Sequence, residues 1–296
     1  MLTGSLTESP NVLNASSKAR VALVLCALLV LPLAAQGRKV QVGLCTRLEN
    51  IEAARAAGFD YLELGTTELA GLSDADFDNA VARIRKLGIP TPVTNLFLPA
   101  TLKVTGPDID RDAQLQYVRK AFGRLARIGV QIVVFGSGGA RRVPDGFSQD
   151  EAFRQLVDFG RRIAPEARAN GITVAIEPLR KQETNIINSA GEGFDLVKAI
   201  DHPNFQLMID FYHLASESEA PDIVIRAKDH LVHLHMANPR GRVYPLAWDE
   251  YDYAPFFSTL RTIGYDKRIS VEASTKDQPR EAPLAIALLR RAFERQ

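Results

Sequence analysis

Four short apolar runs in the second half of this chain each end in a side chain that can hold a metal ion: Glu177 in VAIEP, Asp210 in LMIDF, His235 in VHLHM and Glu272 in ISVEA. Taken singly, a carboxylate at a strand end is an ordinary solvated terminus, and a lone histidine is an ordinary structural one. Four in succession differ if their strands deliver them to one rim, because clustered carboxylates repel and are costly to desolvate. A divalent cation removes that cost. Three oxygen donors and one imidazole, with room for water or substrate, suit Mn2+ first and Mg2+, Co2+ or Fe2+ as well, better than a thiolate-bound structural zinc.

Such convergence needs a scaffold that brings strand ends together. The segments AAGFDYLEL, KLGIPTPVTNL, RIGVQIVVF, ANGITVAIE and TIGYDKRISVE each place a glycine between a helical pattern and an apolar run. Gly58, Gly88, Gly129, Gly171 and Gly264 therefore mark helix stops followed by buried strands. VQVGLC (40 to 45), FQLMID (205 to 210) and LVHLH (231 to 235) bring the strand count to eight. Helices are expected over 48 to 57, 74 to 87, 111 to 127, 149 to 169, 191 to 200, 220 to 229, 253 to 262 and 281 to 294. Eight strand-helix units with near-continuous apolar strands predict an α/β fold, a (β/α)8 TIM barrel, whose active site lies at the C-terminal strand ends. An open doubly wound sheet is the alternative, but it wants a phosphate-binding glycine loop after an early strand, and LCTRLEN has none.

The 46% hydrophobic and 24% charged residues of the 296-residue chain supply a large soluble core. A net charge of +1 argues against nucleic-acid binding by bulk electrostatics. Ahead of the barrel, Lys18 and Arg20 precede the apolar stretch VALVLCALLVLPLAA (21 to 35), which reads as a secretory signal. The expected division is a leader over 1–36 and a single TIM-barrel domain over 37–296, without linker or low-complexity tract. The expected location is periplasmic or secreted, or cytoplasmic if the leader is not a working signal. Fifteen apolar residues interrupted by Pro32 are short for a membrane span, so none is expected after processing.

GITVAIEPLRKQETN, LMIDFYHL, VHLHMANPRGR and ISVEAS, with VVFGSGGARRVPDGF, resemble the sugar phosphate isomerase/epimerase family of xylose isomerase-like TIM barrels, which includes the ketose 3-epimerases. The resemblance covers roughly residues 38 to 292. It implies one divalent ion held by Glu177, Asp210, His235 and Glu272, no organic cofactor, and Glu177 and Glu272 as acid/base groups. A metal chelating a keto-sugar through its carbonyl and a neighbouring hydroxyl acidifies the carbon-bound proton, and two carboxylates then exchange it through an enediolate.

The resemblance also implies substrate-binding roles for His213 and Glu183, and for Arg240 or Arg242, between which spacing does not choose. Glu63, ending the second strand, either orients a substrate hydroxyl or pairs with a neighbouring base. His233 is expected in a structural, hydrogen-bonded role away from the metal, and Asn185 and Asn188 as loop supports. Cys45 reads as a small core residue. GSGGARR (136 to 142) is expected as a flexible loop over the site, with Arg141 and Arg142 as candidate anion partners. Tyr244, Trp248, Tyr251 and Tyr253 either stack on a sugar or pack their loop. The expected function is a metal-dependent isomerase or epimerase acting on a small keto-sugar or related polyol, with homo-oligomerisation open. A lyase or dehydratase on a keto-polyol or keto-glycoside is the enzymatic alternative, and a non-catalytic sugar-binding protein the other.

Overall fold

The computed structural model describes residues 40–294, so the expected leader over 1–36 lies outside the described residues. Eight parallel strands close into a barrel in sequence order: β1 (Gln41–Cys45), β2 (Tyr61–Gly65), β3 (Val93–Asn95), β4 (Ile132–Phe135), β5 (Thr173–Ile176), β6 (Phe205–Asp210), β7 (Leu231–Met236) and β8 (Arg268–Val271). Closure is made by β1, which pairs in parallel with both β2 and β8.

The expected helix-to-strand handovers are present. Gly88 caps the helix Asp74–Leu87 at φ 68°, a left-handed conformation that costs a side-chain-bearing residue more than glycine. Helix starts are fixed by side chains: Ser73, Ser148 and Ser189 each accept a hydrogen bond from the N–H three residues on, as does Asp110. Helices Asp74–Leu87, Arg111–Arg127 and Gln149–Ala169 span the expected residues. The helix expected over 220 to 229 is a single turn, Ile223–Arg226, because only Ile223, Val224 and Ala227 reach the core there while Ile225 is exposed.

Three short helices escaped the apolar pattern: Thr66–Gly71, Gly138–Arg141 and Phe211–Ser216. Each begins within a few residues of the end of β2, β4 or β6, on the face of the barrel that carries the candidate ligands. Inside the barrel, Tyr61, Val93, Ile132, Val134, Ala175 and Met208 pack into one buried cluster. A larger apolar shell joins the outer strand faces to the helices. Among the described residues no helix is long and apolar enough to cross a membrane.

Candidate metal centre

Each of the last four strands delivers its side chain at the C-terminal end. Glu177 follows β5, Asp210 ends β6, His235 is the penultimate residue of β7, and Glu272 follows β8. One ligand atom from each lies within 4.8 Å of those of the other three. His235 Nδ1 is 3.3 Å from Glu177 Oε1 and 3.4 Å from Glu272 Oε2. Ligands held at roughly 2.1 Å around an octahedral ion stand roughly 3 to 4 Å apart, so these spacings suit one divalent cation.

The donor atoms also test the fit. Glu177 Oε1, Asp210 Oδ2 and His235 Nδ1 are buried and make no hydrogen bond. Buried polar atoms without partners are rare and costly, and three that face one another share one remedy, a cation between them. The set of residues therefore fits a divalent ion.

Their other atoms are already committed. Asp210 Oδ1 accepts from Tyr212 N–H at 2.8 Å, capping the helix Phe211–Ser216 and leaving Oδ2 for the cluster. His235 uses Nε2 toward Glu63 Oε1 at 2.9 Å, which leaves Nδ1 as the ligating nitrogen. Glu272 Oε1 accepts from Asn95 Nδ2 at 3.2 Å, and Oε2 accepts from Arg242. Gly136 makes room for Glu177: a Cβ there would lie 2.3 Å from Glu177 Oε2. Sequence reasoning passes over Asn95 and takes Gly136 as part of a flexible loop. The available signal for Asn95 was positional, since PVTN ends the third strand as VAIE ends the fifth.

Electrostatics divide the carboxylates. Burial, and then the charge of Glu272, push Asp210 up to about 7. Burial also raises Glu177. For Glu272 burial is outweighed by His235 and Arg242, which hold it down at about 2. Glu63 is buried too, yet His235 and His233 keep it well below the usual carboxylate range.

Cys45, Glu63 and His235 form a second group with ligand atoms close together. It is a poor metal site. Glu63 spends Oε1 on His235 and Oε2 on His233 and Ser270, while burial and the charge of Glu63 raise the Cys45 thiol.

Glu63 is thus corrected as a substrate contact: it is fully buried and joins the bases, the second of its two expected readings. His233 shares the inward face with His235, as strand residues two apart must, but it is buried and bonded to Glu63 at 2.9 Å. Of the two arginines, Arg242 lines the cleft over the cluster, with Nη1 3.4 Å from Glu183 Oε1. Arg240 does not line it and lies over the Tyr251 ring at 5.9 Å.

Glu183 also lines the cleft and accepts from Arg180 Nε at 2.9 Å. His213 is buried outside the cleft lining. Its Nδ1 accepts from Arg180 N–H at 3.2 Å, so Nε2 carries the proton, 3.6 Å from Asp210 Oδ2. Burial, then Arg242, lower His213 to about 3, which keeps the ring neutral.

The GSGGARR segment is not an open loop. Gly138–Arg141 forms a helical turn, and Arg141 is fully buried, donating to the Glu177 carbonyl at 2.6 Å. Arg142 donates to the Glu183 carbonyl at 3.0 Å. Asn185 bonds the backbone of Val143, and Asn188 the carbonyls of Leu179 and Thr184, as loop supports. Tyr253 packs against Phe211, Trp248 and Tyr251, so the aromatic cluster packs its loop on the barrel.

The chain is 29% identical over 242 residues to the D-psicose 3-epimerase of Ruminiclostridium cellulolyticum, covering 75% of this chain and 76% of that one. It is 25% identical to the L-ribulose 3-epimerase of Methylomonas sp., covering 77% and 78%. Among solved structures, D-psicose 3-epimerase from Clostridium cellulolyticum H10 superposes with a TM-score of 0.76 at 22% identity, over 86% of this chain and 99% of that one. The 3-keto-D-glucoside 4-epimerase YcjR of E. coli follows the same fold with a TM-score of 0.71 at 21% identity, over 86% and 100%. The family model described as xylose isomerase-like TIM barrel matches residues 51–292, and the chain belongs to that family.

Proposed function

We propose that this chain is a divalent-metal-dependent epimerase of keto-sugars, with Glu177 and Glu272 exchanging a carbon-bound proton. The observation that carries the reading is the set of three buried, unpartnered ligand atoms facing one another, with two glutamates among the four residues. The relatives named above, all epimerases, support it.

When bound by Glu177, Asp210, His235 and Glu272, a divalent ion supplies Lewis-acid stabilisation of negative charge developing on substrate oxygens. Mn2+ is the first candidate by donor set, with Mg2+, Co2+ and Fe2+ next. Proton transfer belongs to the protein. One glutamate takes the proton from the carbon beside the ketone, and the other returns one to the opposite face; β5 and β8 bring them from different sides of the rim. Arg242 and Glu183, on the cleft wall, orient substrate hydroxyls. His213 holds a fixed tautomer whose Nε2–H is unpartnered, 3.6 Å from Asp210 Oδ2. No organic cofactor has a role in this scheme.

Glu177→Gln and Glu272→Gln are each expected to lower deuterium exchange at the substrate carbon by ~10²- to 10⁴-fold, with circular dichroism unchanged. Retention of exchange in both variants would remove their acid/base roles. Export is proposed alongside, on the apolar stretch 21 to 35. The exported protein is then expected to begin near residue 36, and a cytoplasmic protein beginning at Met1 would overturn this.

A further inference from the structure

The cleft over the ligand cluster has a volume of about 1000 Å3. That is the upper end of the ~300 to 1000 Å3 range of pockets that take drug-sized molecules, and a single ketohexose is far smaller than those. The ligand cluster occupies only the β5 to β8 side. The facing wall comes from the ends of β1 to β4, including Thr46, Arg47, Thr67, Glu68, Leu96 and Ser137.

Two features mark that second side as built for contact. Leu96 is 58% exposed, more than any other large apolar residue among the described residues, and its backbone is left-handed at φ 48°. Holding a leucine there costs conformational energy and offers apolar surface to water, so packing alone does not explain it. Neighbours fix the conformation: Thr67 N–H donates to the Leu96 carbonyl at 3.2 Å, and Leu98 N–H donates to Ser137 Oγ at 2.9 Å. Ser137 is itself left-handed at φ 39°. Around the leucine the wall is polar, with Glu68 anchored through Oε2 by Leu48 N–H at 3.1 Å. The small Cys45 side chain, which lines the cleft at the end of β1, leaves the two sides continuous.

An apolar platform on a wall that also carries hydroxyls, a carboxylate and a guanidinium matches a pyranose ring, whose C–H face is apolar and whose edge is polar. We propose that the substrate is a keto-glycoside of two sugar rings, with the ketone-bearing ring over the ligand cluster and the second ring on Leu96, hydrogen-bonded by Arg47, Thr67 and Glu68. This rests on the epimerase reading and narrows it. Because the second ring is attached through the anomeric oxygen, the ketone sits at a ring carbon. The reaction breaks the C–H bond beside it, passes the proton to one glutamate, and forms a C–H bond on the opposite face with a proton from the other, with no net redox change. An oxidation of a glycoside hydroxyl must supply such a substrate.

The test compares three probes with the metal-loaded full chain in deuterated water, read by NMR above the enzyme-free rate. They are lactose oxidised to the ketone at C3 of its galactose ring, methyl β-galactoside oxidised in the same way, and D-fructose. The two-ring probe is expected to exceed the methyl glycoside in kcat/KM by about tenfold or more. Leu96→Gly, which suits a left-handed backbone, and Arg47→Ala should each lower that ratio by about threefold or more through KM for the two-ring probe. Exchange on any probe with a ratio near one, or a ratio untouched by both variants, overturns the two-ring substrate while leaving the epimerase reading in place. No exchange on all three overturns both.

Discussion

From β5 to β8 every strand end contributes a ligand atom to one point, whereas from β1 to β4 the corresponding ends are Cys45, Gly65, Asn95 and Gly136, none of which joins the four-residue cluster. The two sides nevertheless serve one site. Glu63 on β2 fixes the ring of His235, Asn95 on β3 holds Glu272, and Gly136 after β4 clears the space that Glu177 occupies. Arg141, beyond β4, holds the Glu177 carbonyl. One side of the rim carries the donor groups and the other aims them, so the aiming residues are graded in effect where the donors are all-or-none.

That contrast can be broken most forcefully on the donor side. Asp210→Ala is expected to abolish binding of the divalent ion, about one per barrel by metal analysis, and to lower exchange by ~10³-fold or more. An active, metal-free variant would show that the cluster is not the centre. On the aiming side, Gly136→Ala forces the Glu177 carboxylate aside and is expected to cost ~10²-fold in kcat, the scale of a misplaced catalytic group. A crystal structure of this variant with Glu177 unmoved and full activity would contradict the tight-fit account. Glu63→Gln keeps size but weakens the charge that holds His235, and is expected to reduce metal affinity by ~10- to 100-fold in a chelator competition. Unchanged affinity would reduce Glu63 to a packing residue.

The smallest effect is in stability. A carboxyl group whose folded-state pKa is raised, like Asp210 at about 7, binds more protons folded than unfolded between its unfolded value and that point. Its contribution to stability therefore falls as pH rises toward 7, and His235, raised well above its ordinary value, acts in the same direction above 6.5. The metal-stripped protein should accordingly lose thermal stability from pH 6.5 to 8. Added Mn2+, which binds the ionised ligands, should raise Tm more at pH 8 than at 6.5. An equal increment at both values would contradict the like-charge strain assigned to the cluster.

The same contrast explains what could be read from the chain. The donor side was legible because Glu177, Asp210, His235 and Glu272 interrupt apolar runs, and an acid ending a buried strand stands out against β-branched neighbours. Helix stops such as Gly88 were legible because the left-handed cap has a residue preference. The aiming side was not. Gly136 looks like loop flexibility until a Cβ is placed against Glu177. Asn95 is one polar residue among many, and Leu96 looks like ordinary strand filler until its exposure is seen. Arg141 suggested an anion partner because it follows the glycine-rich GSGG run, and only three dimensions place it under Glu177. Residues that contribute a chemical group declare themselves by type, while residues that contribute position do so only by contact.

The central claim, that the β5 to β8 rim is a divalent-metal site for proton exchange on keto-sugars, is tested most directly by NMR in deuterated water. Metal-stripped and Mn2+-reloaded protein are compared on one panel of keto-sugars, the free ketose and the keto-glycosides together. The account predicts deuterium at the carbon beside the ketone with the reloaded protein and loss of exchange with the stripped one. Equal exchange with and without the ion, or none on any keto-sugar with the ion bound, would contradict it.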